Sequence, residues 1–406
     1  MAQCSVQIRF PLNSTSLQKT ILAARCVFLA CGIALSSWAP MVPVVKERLA
    51  LDDSGIGGLL LFLGAGAIVT MPATGWLISR IGSKMVILLA TILLGITLPS
   101  LLATNTPALT AVVLFLFGSG IGAIDVGVNA QGLQIQDIGK KPVMSSLHGW
   151  FSIGGLAGPM VILLLDYFNI IPFYALVIVS VLLIFLVFGV SSHLLKAGIE
   201  RETAGGREDG KKPGGGVAWL HPRVLFLGVM CFIVFLAEGA VLDWSGIFLR
   251  DVKVVEENLL GLGYAAFSVA MAFMRLVGDK VVSKIPGRVI VATGSFVTAT
   301  GFLVAVMASW LPLILFGFVL VGLGAANIVP IFFSESGRVK GVPATAAIAA
   351  VTTIGYAGQL AGPAALGFIA EKAGLSVSFG CTAALMLLIG ISYVISTGVK
   401  RSGEIS

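Results

Sequence analysis

The sequence predicts an all-α membrane protein with twelve transmembrane helices in two pseudo-symmetric six-helix bundles. Three observations carry that expectation. Of 406 residues, 57% are hydrophobic and only 11% are charged, with a mean hydropathy of +1.02. A soluble domain of this length needs far more charge to cover its surface. The apolar runs recur at lengths near the roughly 20 residues that cross a bilayer as a helix. Motifs of the first half also return in the second at an offset of about 204 residues.

The runs are taken in order. The first, 21–45, follows a polar N-terminal stretch without a cleavable signal pattern and serves as an uncleaved insertion signal. Runs 55–79 and 85–104 flank a short basic loop. Run 108–135 opens after Asn105-Thr106-Pro107, then come 143–166 and 172–193, parted near Ile171-Pro172. The one long polar stretch, 194–220, cannot bury apolar area and reads as a flexible linker. It divides an N-terminal bundle, 1–193, from a C-terminal bundle, 221–406. The second set is 222–249, 258–281, 288–309, 312–335, 343–370 and 375–398. In lipid every backbone group must bond within its own segment, so these runs are helices. The 50 glycines let such helices approach closely.

Charge sets the orientation. With both termini in the cytoplasm, twenty Lys and Arg fall on the inner side. The outward loops hold five: Lys46, Arg48, Arg250, Lys253 and Lys372. Such a bias marks the cytoplasmic side. It accounts for the net charge of +7 through anionic lipid headgroups, without nucleic acid. Cys4, Cys26, Cys31, Cys231 and Cys381 show no metal or redox spacing. No nucleotide-binding loop and no enzyme constellation is present, and no cofactor or metal is expected.

The half-repeat is visible in residues. Arg80-Ile81-Gly82-Ser83-Lys84 answers Lys284-Ile285-Pro286-Gly287-Arg288. Ser152 to Pro159 answers Tyr356 to Pro363, and Gly120 to Asp125 answers Gly322 to Asn327. The last match sets Asn327 opposite Asp125. Such parallel repeats place a solute site near the midplane between the halves.

Ionisable and polar residues inside the runs mark that site, because a charge in hydrocarbon costs about 3 kcal/mol or more. Asp125 and Asn129 share a face of the fourth helix. Ser145, His148 and Ser152 share a face of the fifth, beside the packing pair Gly154 and Gly158. Each of these either lines a cavity or joins neighbouring helices by a hydrogen bond. In the seventh helix Glu238 and Asp243 are rotated by about 140° and face different surroundings. Trp244 suits an interfacial belt or a stacking platform. Arg275 either pairs with Asp279 one turn later or serves as countercharge to Glu238 or Asp125. Asn327, Tyr356 and Gln359 are neutral hydrogen-bonders suited to a hydroxyl-rich solute, or to packing.

The loop Gly75-Trp76-Leu77-Ile78-Ser79-Arg80-Ile81-Gly82-Ser83-Lys84 resembles the Gly-x-x-x-Asp-Arg-x-Gly-Arg-Lys signature of the major facilitator superfamily. Gly75, Arg80, Gly82 and Lys84 match, while Ser79 and Ser83 depart. The resemblance spans the chain from the first helix to the twelfth and implies the major facilitator fold. It also implies a cytoplasmic gate built from these four residues, with Asp279. Asp125 to Asn129 is similar to the acid-x-x-x-Asn of fucose-permease-like transporters, where the acid is linked to proton coupling. His148 falls near that branch's polar ligand positions. Glu238-Gly239 through Asp243-Trp244-Ser245 looks like the rhizopine-transporter-like branch. The first helix, Leu29 to Met41, holds no carboxylate, so the fucose-permease coupling scheme does not carry over directly.

The resulting expectation is a monomeric secondary transporter of the bacterial inner membrane. It would move a small sugar- or cyclitol-like solute by alternating access with protons. Low dielectric penalises charge, so Asp125, Glu238, Asp243 and Arg275 are the candidate proton-coupling set. Asn129, His148, Ser152, Trp244, Asn327, Tyr356 and Gln359 are the candidate solute contacts. The alternatives are proton-driven efflux of amphipathic compounds, which asks for a wide apolar cavity, and a non-transporting sensor or scaffold.

Overall fold

A computed structural model describes residues 14–51, 53–197 and 218–402. Cys4, Arg9 and the charged run from Arg201 to Lys212 lie outside these residues. Twelve long helices are present among the described residues: α1 Ser14–Trp38, α2 Asp53–Ile81, α3 Ser83–Ser100, α4 Pro107–Gly139, α5 Met144–Tyr167 and α6 Pro172–Val190, then α7 Pro222–Ile247, α8 Leu262–Lys284, α9 Gly287–Met307, α10 in two pieces (Leu311–Ala325 and Ile328–Ser336), α11 Ala344–Ala373 and α12 Leu375–Ser402. Eleven are long and apolar enough to cross a membrane. The twelfth, α8, carries Arg275, Asp279, Lys280 and Lys284.

Prolines explain two departures from simple rods. Pro40 and Pro43 convert the C-terminal end of the first span into a 3₁₀ turn and a short helix, Val42–Arg48. α10 is broken into Leu311–Ala325 and Ile328–Ser336. Pro330 supplies no N–H to Ala326 O, four residues back, and its ring crowds that carbonyl.

The two halves repeat in three dimensions. A Cβ on Gly118 of α4 would lie 1.9 Å from Leu63 O of α2, and one on Gly322 of α10 would lie 2.3 Å from Phe267 O of α8. A Cβ on Gly154 of α5 would lie 2.3 Å from Leu29 O of α1, and one on Gly358 of α11 would lie 2.1 Å from Phe232 O of α7. Only glycine permits such backbone contact. These pairs fix the α4–α10 register: Gly118 matches Gly322, an offset of 204. Asn327 therefore stands opposite Ala123, and the sequence alignment of Asn327 with Asp125 is corrected by two residues. The repeated Gly-x-Gly spacing of both helices allowed the slip.

Between the halves α2 packs on α11 and α5 on α8. The turns α2–α3, α4–α5, α8–α9 and α10–α11 share one end, which holds most of the Lys and Arg and is called here the basic end. Leu194 and Leu195, at the start of the polar stretch, are buried. Gln131 holds Leu195 by accepting its N–H (3.0 Å) and donating to its carbonyl (3.1 Å).

Two of the five cations at the opposite end have matching work. Arg48 donates to Leu101 O (2.9 Å) and Leu102 O, just past α3. Lys253 donates to Val306 O (2.7 Å) and Ala308 O (2.6 Å) at the end of α9. Each satisfies orphan carbonyls and the negative end of a helix dipole. Arg48→Met and Lys253→Met are each expected to cost about 0.3–1 kcal/mol. Thermal unfolding in detergent checks this, and the two losses should add because the sites are far apart.

Candidate functional site

Polar side chains converge where α4 and α5 of one half meet α7, α8 and α10 of the other. On α4, Asn129 Nδ2 donates to Asp125 O (2.9 Å). This ties the two residues one turn apart and aims the Asn129 carbonyl at α5. His148 Nε2 donates to Asn129 Oδ1 (3.2 Å). The imidazole lies between the rings of Phe28 (5.1 Å) and Phe333 (5.6 Å). Phe333 belongs to the other half, so His148 sits at the seam.

Arg275 is the centre of the facing cluster. Its Nη2 donates to Glu238 Oε1 of α7 at 3.0 Å. Its Nη1 donates across the seam to Ser152 Oγ of α5 at 3.2 Å. Its Nε donates to Ala326 O at 3.3 Å, the carbonyl left free by the α10 break. A rigid guanidinium fork can hold three such acceptors at once. Both members of the pair are largely buried, at 7% and 18% side-chain exposure. Of the readings open for Arg275, the geometry selects the countercharge to Glu238. Asp279 instead accepts the N–H of Ser146 across the seam (3.2 Å), and Arg25 donates to Ser146 Oγ (2.9 Å).

Asp125 is 5% exposed, and its Oδ2 has no hydrogen-bond partner. Cys31 of α1 and Tyr356 of α11 lie within electrostatic reach of it, and Tyr356 is also within reach of Glu238. A buried acceptor without a partner is costly.

The other expected residues are engaged by the protein or lie away from the cluster. Ser152 Oγ donates to His148 O (3.1 Å) while accepting from Arg275, so its hydroxyl is engaged by the protein. Asn327 is turned against Gly278, where a Cβ would lie 2.1 Å from its Oδ1. Asp243 and Gln359 are exposed. Trp244 lies against Gly367 of α11. Tyr356 meets the Phe235 ring edge-on at 5.6 Å. In the loop motif, Gly75 packs against Ala349 and Thr345 of α11, the Arg80 guanidinium stacks 5.4 Å over Trp76, and Gly82 breaks the chain with φ +83°. Lys84 lies in the first turn of α3.

Further contacts join the basic ends. Gln136 Nε2 donates to Ser334 Oγ (3.0 Å), and Arg338 approaches Asp137 at 3.5 Å. Ser146, Gln136 and Ala326 were not singled out from sequence. Pro330 was the available signal for Ala326, through the carbonyl four residues before it.

Residues 24–340 match the family described as Major Facilitator Superfamily. An uncharacterized MFS-type transporter of Yersinia pestis is 39% identical over 373 residues, covering 91% of this chain and 94% of the relative. The membrane protein MosC of Rhizobium meliloti is 30% identical over 380 residues, covering 93% and 88%. Among solved structures, the proton:xylose symporter XylE aligns with a TM-score of 0.74 at 13% identity, over 94% of this chain and 95% of that one. The E. coli fucose:proton symporter FucP aligns with 0.71 at 16% identity, over 93% and 98%. At these identities the structural likeness is one of fold.

Proposed function

We propose that this chain, which belongs to the major facilitator superfamily, moves a small sugar- or cyclitol-like solute by alternating access, driven by a proton carried on Asp125 or Glu238. The observation that carries the reading is the buried Arg275–Glu238 pair, bonded across the seam to Ser152, together with the buried Asp125, whose Oδ2 has no hydrogen-bond partner. The fold shared with symporters of xylose and fucose supports it. The bacterial relatives support an inner membrane location, and the Lys and Arg bias supports an orientation with the basic end in the cytoplasm.

An ionised carboxylate holds a guanidinium more strongly than a neutral carboxyl does, because the charge–charge attraction is added to the hydrogen bond. With Glu238 ionised, Arg275 stays in place and reaches both Ser152 and Ala326 O. With Glu238 protonated, that hold weakens, and the link between α8 and α5 loosens with it. Solute hydroxyls would find acceptors and donors at Asp125, Asn129 and His148. Filling that site from either side then biases the rocking of the halves.

The test begins with thermal stabilisation by a panel of sugars, polyols and amphipathic drugs. The solute giving the largest shift is then measured in proteoliposomes with and without a pH gradient. Gradient-driven flux is expected in the unaltered protein and should fall about tenfold, equivalent to about 1.4 kcal/mol, in Glu238→Gln or Asp125→Asn. Unchanged pH dependence in both variants overturns the coupling assignment.

A further inference from the structure

A cavity of ≈ 540 Å³ opens at the basic end between the halves, separate from the Arg275 cluster. The end of α4 and the start of α5 line one side, and α8, α9 and α10 line the other. Asp137, Lys140, Lys141, Glu335 and Arg338 are its charged lining residues. Both carboxylates are already engaged. Asp137 faces Arg338 at 3.5 Å. Glu335 accepts from Arg223 at 2.8 Å and from the Tyr393 hydroxyl. Lys140 and Lys141 have no partner among the described residues, so the cavity carries two uncompensated positive charges.

Lys140 also holds a left-handed backbone, φ +50°, where α4 ends. That conformation is strained for an L-residue with a Cβ and favours glycine or asparagine. Lysine there places two adjacent cations at the cavity mouth at a local cost. The remaining wall is partly apolar, through Met144, Val282 and Ile331. Basic pockets between transmembrane helices are suited to anionic headgroups.

We propose that this cavity binds a phosphate-bearing group, held by Lys140 and Lys141, that bridges the two halves at the basic end. The group comes either from an anionic phospholipid headgroup, whose chain region suits the apolar wall, or from a soluble phosphate. Occupancy favours the arrangement in which the basic ends are together, because both halves contribute to the walls. This site stands independently of the solute site.

The experiment uses the purified chain in detergent. Its thermal midpoint is followed against phosphatidylglycerol, phosphatidylcholine and inorganic phosphate. Phosphatidylglycerol is expected to raise the midpoint, and Lys140→Gln/Lys141→Gln should weaken its apparent affinity about thirtyfold. Lys280→Gln/Lys284→Gln, at the same end but outside the cavity, should leave it unchanged. The same pattern with inorganic phosphate alone supports the site and assigns it to a soluble ligand. The proposal is overturned by no shift at all, by an equal shift with phosphatidylcholine, or by equal losses in the two lysine pairs.

Discussion

Arg275→Met is expected to destabilise the protein by about 3–5 kcal/mol, the usual cost of stripping one partner from a buried ion pair. Glu238 would be left buried without its countercharge, and Ala326 O would lose the donor that compensates for the α10 break. Arg275→Lys keeps the charge but cannot hold Glu238, Ser152 and Ala326 O with one planar fork, so an intermediate loss is expected. Adding Glu238→Gln to Arg275→Met removes the stranded carboxylate and should restore part of the stability, but not gradient-driven flux. Unfolding in detergent, run beside flux in proteoliposomes, separates the two effects. An Arg275→Met protein as stable as the parent would show that the pair is not buried as described.

Gly118→Val and Gly322→Val are expected to fall in the extreme tail of single substitutions, at about 4 kcal/mol or more. Each would drive a Cβ into backbone, 1.9 Å from Leu63 O or 2.3 Å from Phe267 O. No rotamer relieves a clash with a neighbouring helix's main chain, so α4 must leave α2, or α10 must leave α8. The two positions are related by the internal repeat, and their losses should be similar in size. Gly57→Ala is the control: nothing lies within 4 Å of a Cβ there, and the outcome should be neutral or slightly stabilising. Folded yield from membranes and the thermal midpoint read both arms. A well-folded Gly118→Val protein would contradict the helix contact.

The twelve helices were legible in the sequence because bilayer thickness, backbone satisfaction and apolar run length all act locally. The repeat was legible where its motifs were distinctive, as at Arg80–Lys84 and Gly154–Gly158. In α4 and α10 the glycines recur every second residue, and only the seating of Gly118 on α2 and Gly322 on α8 fixes the register. The acids and Arg275 stood out because charge in lipid is expensive, yet spacing alone left Asp279 and Glu238 as rival partners. That choice depends on how α7 and α8 cross. Ser152 looked free to meet a solute on a helical wheel; its hydroxyl is engaged because α8 presents Arg275 across the seam, a contact between halves 123 residues apart.

Relative movement of the halves is tested most directly by fixing them. A Cβ at Gly337 would sit 2.1 Å from Leu133 Cδ2 and 3.3 Å from its Cγ, so cysteines at these two positions fall within disulfide reach. In a chain whose native cysteines are replaced, oxidising Leu133→Cys/Gly337→Cys should reduce solute flux to background, and reduction should restore it. Undiminished flux through the cross-linked protein would contradict alternation of the two halves about a site between them.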